Sequence, residues 1–372
     1  MTETILVMGG GVIGLSCAFE LRNRGHEVAV LEINRCGGQA SGAAAGMLAP
    51  YSENAEGPDE FFRLGLESLR VYPEWQSHVK RVSGMAFEYT HSGSLYIAYH
   101  EADRLALEGR ILWQREHGSS GTILEGEELF QIEPMLSRNV RAALRTPEES
   151  HLYSPDYVRA LEQACRLLGV RIYENLEKLT IAEWHSEIVV QTADQRTFGG
   201  DRLVVCSGAW ARELADTFGI AIPVYPIRGQ ICAYETETKP VRHMVFGNQG
   251  YLVGKENSTL VCGASEDVAG FDTSVTDKGI ERLRRWNKQA FPFLANRVPF
   301  HRWAGLRPST QDGLPLIGPL SASNRVVMAV GHYRNGILLS PATAKLVADY
   351  VEGKRVPDYH RAFDPDRFGR SD

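Results

Sequence analysis

Long apolar runs are missing from this 372-residue sequence. A membrane-spanning helix needs roughly 20 consecutive apolar residues, so no helical membrane protein is expected. A basic stripe is missing too. Lys and Arg number 40 against 46 Asp and Glu, with the signs interleaved and a net charge of −6, which argues against nucleic acid and for small-molecule partners. The six cysteines (Cys17, Cys36, Cys165, Cys206, Cys232, Cys262) stand apart, with no CxxC pair and no Cys/His cluster. Neither a metal site nor a disulfide framework follows from that spacing, and reduced core thiols are expected. The opening MTETILVMGGG has no basic n-region and no cleavage site, which makes a cytoplasmic protein the expectation. Internal repeats and low-complexity segments are absent as well.

What is present starts at the first strand. Thr4–Met8 (TILVM) is apolar and runs into GGGVIG, residues 9–14, then a helical stretch to Arg24, a stop at Gly25 and a second apolar run, 28–31, that ends on Glu32. This is GxGxxG in the setting it requires. Gly9 makes the turn, Gly11 lets a pyrophosphate approach the backbone and Gly14 lets helix and strand pack closely. The helix N-terminus presents its positive dipole end to the phosphates. Glu32 can accept hydrogen bonds from a ribose diol and would repel a 2′-phosphate, so FAD or NAD fits and NADP does not.

The choice between FAD and NAD rests on two further segments. GGQASGAAAGML, residues 37–48, is rich in small residues that let backbone crowd against an extended ligand, and its Ala-Ala-Ala-Gly-Met-Leu run reads as packed chain, not linker. Another buried strand, 326–330, enters GHYRNG (331–336) and a helix. A second glycine-bounded junction so far along the chain implies that both ends build one flavin-type domain, with a helix dipole available for the flavin. Residues 60–80 and 101–116 read as amphipathic helices, and Ser154 and Pro155 open another. The runs 170–173 and 203–210, the latter breaking at Gly208, read as more of the parallel sheet, whereas 87–99, 227–234, 250–253 and Thr259–Gly263 lack long intervening helices and suggest a separate antiparallel sheet.

Five segments together carry a resemblance: GGGVIG with Glu32, SGAAAGML, PVYPIRGQ (223–230), AGLRPSTQDGLPLIG (304–318) and GHYRNGILLSPATAKL (331–346). The chain resembles the D-amino-acid oxidase family over essentially its whole length, most of all the members that oxidise glycine in thiamine thiazole biosynthesis. That resemblance implies an α/β fold (α+β overall): a Rossmann-like FAD-binding domain with a parallel sheet (1–80, 150–220 and 300–372) interleaved with a substrate domain on an antiparallel sheet (81–149 and 221–299). It implies oxidative deamination of glycine, sarcosine and small D-amino acids by hydride transfer to FAD. The products would be an oxo acid and hydrogen peroxide, with molecular oxygen as acceptor, in a homo-oligomer, tetrameric by the same token. Arg307 corresponds to the arginine that grips the substrate carboxylate, Arg334 to one near flavin and substrate, and Tyr251 to an assisting tyrosine; Met47 and Glu266 are expected beside the cavity. The FAD contacts implied are Gly9, Gly11, Val12, Ile13, Gly14, Glu32, Ile33, Ala40, Ser41, Ala45, Gly46, Met47, Lys178, Ser207, Gly208, Trp210, His332, Tyr333, Arg334, Asn335, Gly336, Ile337 and Leu338.

Flavin amine oxidation requires a neutral amine, an aimed Cα–H and a held carboxylate, and no enzymic acid or base, so no catalytic acid or base is assigned. A planar guanidinium suits the carboxylate because it meets both oxygens at once. The sequence leaves other roles open: Arg307 paired with Asp312 in its own loop, Arg334 on a phosphate or carbonyl, Tyr251 as a cross-strand aromatic, His332 as a backbone brace. Three other functions stay open as well: an FAD-dependent D-amino-acid dehydrogenase with a non-oxygen acceptor, a 2-hydroxy-acid oxidase, and a flavin-binding scaffold without catalysis. Residues 263–372 hold no cysteine, whereas relatives that attach flavin covalently do so near this arginine segment. FAD is therefore expected to leave with the supernatant on acid precipitation, and flavin fluorescence retained in the pellet would contradict this.

Overall fold

The computed structural model describes residues 2–54 and 57–369. Its first sheet has six strands in the order Leu316–Leu320, Ser323–Val330, Arg202–Val205, Thr4–Met8, Glu27–Leu31, Arg171–Tyr173. All neighbours are parallel except the hairpin of the first two. A parallel sheet must be covered on both faces. The helices Val12–Asn23, Glu60–Ser83, Ser154–Leu167 and Gly336–Val351 cover one face in a single apolar cluster that includes Phe19, Tyr72, Trp75 and Tyr157. The other face packs on Ile181, Ile188, Val190 and Phe218, which come partly from a small antiparallel sheet of Leu179–Glu183, Ile188–Thr192 and Thr197–Gly200. That small sheet was not anticipated from the sequence.

The second sheet has eight strands: His301–Thr310, Val224–Glu235, Thr259–Gly263, Gly250–Gly254, Met244–Gly247, Ser94–Ala98, Ala142–Thr146 and Thr122–Glu125. It is antiparallel except between Met244–Gly247 and Ser94–Ala98, which run parallel. One face is covered by the helix Asp277–Ala290 through Ile280, Leu283 and Trp286. The expected strand 87–99 is two pieces, and the first, Tyr89–Thr90, joins Met47–Leu48 and Ser150–Leu152 in a fourth, three-stranded sheet.

The expected helices are present with small shifts. Asp59 caps Glu60–Ser83 by accepting from Phe62 N at 2.7 Å, and Gly84 closes it in the left-handed region. Ser154 occupies the first helical position, not the cap, which is Tyr153. The stretch 304–318, full of the residues that make turns, starts as strand: His301–Thr310 pairs with Val224–Glu235 from Val224↔Thr310 to Ala233↔His301. Pro308 is tolerated because this strand lies at the sheet's edge, where a missing N–H costs no ladder bond. Residues 301–310 thus belong by hydrogen bonding to the second sheet, although they were expected with the nucleotide-binding segments.

The nucleotide turn is held by lack of room. Gly9 has φ +111, and a Cβ at Gly14 would lie 1.9 Å from the Gly9 carbonyl oxygen. Gly14→Ala is therefore expected to cost on the order of 1 to 3 kcal/mol of stability and to lower FAD occupancy. A variant with wild-type melting temperature and stoichiometric flavin would show that the turn can relax.

Candidate functional site

One long cavity runs between the two sheets, from Glu32 and Lys178 at one end to Arg307 and Arg334 at the other. Every site residue expected from the sequence lines it except Gly14, Asn335, Leu338 and Glu266. Gly14 packs beneath the turn, and Leu338 is buried in the helical layer, where its carbonyl accepts from Ser68 Oγ at 2.5 Å.

At the nucleotide end the Glu32 carboxylate is fixed by two backbone donors, Gly10 N at 2.6 Å and Asn34 N at 2.8 Å. The helix Val12–Asn23 starts at Gly11 without a side-chain cap, and Val12 N donates to Ser41 Oγ at 2.9 Å. Ser207 Oγ lies in the cavity wall, buried and without a hydrogen-bond partner. A helix N-terminus whose cap residue is glycine, a side-chain-free turn, a fixed carboxylate and an unsatisfied hydroxyl along one cavity fit a dinucleotide carrying phosphates and ribose hydroxyls. Toward the middle, His332 is buried and shares a 3.1 Å hydrogen bond with Thr343 Oγ1. Burial pushes its imidazole down to about 3, so it stays neutral at working pH and braces the segment instead of moving protons.

At the far end Arg307 Nη1 donates to the Ser265 carbonyl at 2.9 Å. Asp312, its candidate partner from the sequence, is instead held by Arg367 in a two-point pair, Nε to Oδ2 at 2.8 Å and Nη2 to Oδ1 at 3.0 Å. Among the described residues no carboxylate pairs with Arg307. The self-paired loop is thus replaced by a guanidinium facing the cavity with no acid of its own. Tyr251 is buried beside it, its phenol pushed up to about 12 by burial. Arg334 differs from Arg307: its Nη1 meets Glu266 Oε1 at 3.1 Å and its Nη2 lies 3.5 Å from Glu53 Oε1. Glu266, expected beside the cavity, does not line it; its side chain is 51% exposed and turned to Arg334, which does.

Glu53 escaped the sequence reading. It ends the short helix Pro50–Glu53, lines the cavity, and its side chain is 7% exposed with neither oxygen hydrogen-bonded. Burial pushes its carboxyl up, while Arg334 and then Arg307 pull it down. No local motif marks such a residue, since its meaning comes from an arginine 281 positions away (334 minus 53). Gly229, inside PVYPIRGQ, also has a role the sequence did not show. A Cβ there would fall 2.4 to 2.6 Å from the Arg307 guanidinium atoms. Because the group in the way is the end of a flexible side chain, Gly229→Ala should displace Arg307 without unfolding the sheet. The expected result is weaker binding of acetate by roughly tenfold, one lost charge-assisted contact, with FAD content unchanged. Unaltered acetate affinity by calorimetry would mean that Arg307 does not receive carboxylates.

Comparison with known proteins bears on this arrangement. The family described as FAD dependent oxidoreductase (DAO) matches residues 4–350. Glycine oxidase of Geobacillus kaustophilus is 33% identical over 352 residues, covering 94% of this chain and 93% of that protein. The bifunctional protein ThiO/ThiG of Synechocystis is 33% identical over 376 residues and covers 99% of this chain, which spans 54% of that relative's length. The crystal structure of glycine oxidase from Geobacillus kaustophilus superposes with a TM-score of 0.92 at 31% identity, covering 98% of this chain and 99% of that one.

Proposed function

We infer the reaction from the premise that this chain belongs to the DAO family of FAD dependent oxidoreductases. It is an FAD-dependent amino-acid oxidase acting on glycine and other small amines such as sarcosine and small D-amino acids. Glycine, oxygen and water give glyoxylate, ammonia and hydrogen peroxide. The imine formed on the way is the species that thiamine thiazole synthesis would draw on. The observation that carries this reading is Arg307: a guanidinium in the cavity whose hydrogen bond goes to a backbone carbonyl and leaves its charge for a ligand. The names of the relatives favour an oxidase over a dehydrogenase with another acceptor.

When bound, FAD supplies the two-electron acceptor for the substrate's Cα hydrogen. The 9–14 turn, Glu32, Ser41 and the segment 332–337 would hold it, non-covalently. Arg307 fixes the substrate carboxylate with Tyr251 beside it, and Met47 closes the apolar side, so the chain contributes orientation and exclusion of water. His332, kept neutral by burial, braces the segment through Thr343. The reading extends to the organisation of the chain: a nucleotide-binding unit made from both ends and a substrate unit built on the eight-stranded sheet. It extends also to a cytoplasmic setting and a homotetramer.

Anaerobic mixing with glycine, sarcosine, D-alanine and glycolate should bleach the flavin with the amines and leave it oxidised with glycolate; the reverse order would make the enzyme a hydroxy-acid oxidase. Arg307→Ala should lose about 2 to 5 kcal/mol in kcat/KM for glycine, as removal of one member of a desolvated charge pair does. Arg307→Lys should recover only part of that, since an ammonium lacks the planar fork. Asp312→Ala breaks the pair with Arg367 and should lower the melting temperature with glycine kinetics intact. An Arg307→Ala variant with normal kcat/KM would overturn the assignment.

A further inference from the structure

We propose that Glu53 sets the charge of the substrate end and restricts it to substrates with one carboxylate, an inference that rests on the carboxylate-binding role of Arg307 given above. Two guanidiniums reach this end of the cavity. Arg307 has a backbone partner at 2.9 Å and, among the described residues, no acid. Arg334 faces two acids, Glu266 at 3.1 Å and Glu53 at 3.5 Å. The charge of Arg334 is therefore already compensated, and a ligand meets one uncompensated cation, Arg307.

Of the two acids, Glu53 has the greater leverage. Its side chain is 7% exposed against 51% for Glu266, so its field is far less screened by water. Neither of its oxygens has a hydrogen-bond partner, so its compensation is the charge of Arg334 first and of Arg307 second. Its backbone cannot swing away. Glu149 accepts from Ser52 N at 2.8 Å and Ser52 Oγ at 2.6 Å, and Arg110 Nη2 donates to the Tyr51 carbonyl at 2.9 Å and the Ser52 carbonyl at 2.5 Å. A second carboxylate on a ligand held by Arg307 would enter a region that already contains two carboxylates and one compensated arginine. An uncharged side chain at residue 53 would leave Arg334 able to receive it. Glu53 is thus a specificity-determining residue that acts through Arg334, not a group that reacts.

The test uses two ligands of nearly the same shape that differ by one charge, malonate and its monoamide malonamate, titrated calorimetrically into the FAD-loaded enzyme at about pH 8, where malonate is a dianion. Neither is oxidised, so binding is read without turnover. The wild type is expected to prefer malonamate. Glu53→Gln should shift the ratio of the two dissociation constants toward malonate by about tenfold or more, the size of effect a charge at this distance produces behind partial screening. Glu266→Gln should shift it in the same direction by less, because water screens that carboxylate. An unchanged ratio in Glu53→Gln overturns the proposal. Should that variant fail to retain FAD, an unchanged ratio in Glu266→Gln overturns it equally. If malonamate binds Arg307→Ala as tightly as wild type, the carboxylate clamp itself is wrong, a result distinguishable from failure of the charge argument because it appears with the monoanion.

Discussion

The edge strand His301–Thr310 lies directly on the small-residue segment 40–46, and the rest of the site depends on that contact. A Cβ at Gly305 would be 2.7 Å from the Cβ of Ala43, and Trp303 Nε1 donates to the Ala43 carbonyl at 2.9 Å. Two residues beyond Gly305 the same strand carries Arg307, so the approach that brings this strand onto segment 40–46 also delivers the guanidinium to the cavity. The residues at this junction are small for a geometric reason. Gly46 is tight as well, since a Cβ there would lie 2.0 Å from the Leu152 carbonyl oxygen. Side chains at these positions would push segment 40–46 away from the strands 301–310 and 150–152 and reshape the cavity wall that it forms.

Legibility from the sequence followed the range of the interaction. The nucleotide turn, Glu32 and the strand–helix start at 326–337 are local, each contained in one strand–turn–helix, and their glycines carry meaning because the same few residues supply both cause and effect. Arg307 was legible by resemblance, and its rival pairing with Asp312 was a reasonable local reading that a distant residue, Arg367, overturned by taking both carboxylate oxygens. Glu266 does not itself line the cavity: it follows Thr259–Gly263, and its carboxylate meets Arg334, which does. The strand at 301–310 was hidden by Gly305, Pro308 and Ser309, residues poor in strand propensity, which an edge position accepts. Glu53 left no trace at all, because a carboxylate on a four-residue helix acquires its role from partners that only the fold assembles.

The polar groups around the cavity divide by the side of the wall they occupy. Behind the wall, Lys255 Nζ donates to the carbonyls of Ala45 at 2.7 Å and Leu152 at 2.8 Å, tying the segment 40–46 to the strand Ser150–Leu152. Burial pushes that amine down to about 7, a cost the fold accepts at a place where two carbonyls would otherwise be unsatisfied. Glu149, whose carboxyl burial pushes up to about 7, is likewise occupied by Ser52 N and Oγ. Groups that line the cavity are also left open. Ser207 Oγ and both Glu53 oxygens have no hydrogen bond, and Arg307 has no acid. A buried polar group without a partner costs roughly 1 to 3 kcal/mol. The open groups that do line this cavity fit ligands that bring the missing partners: phosphates and ribose hydroxyls at one end, a carboxylate at the other.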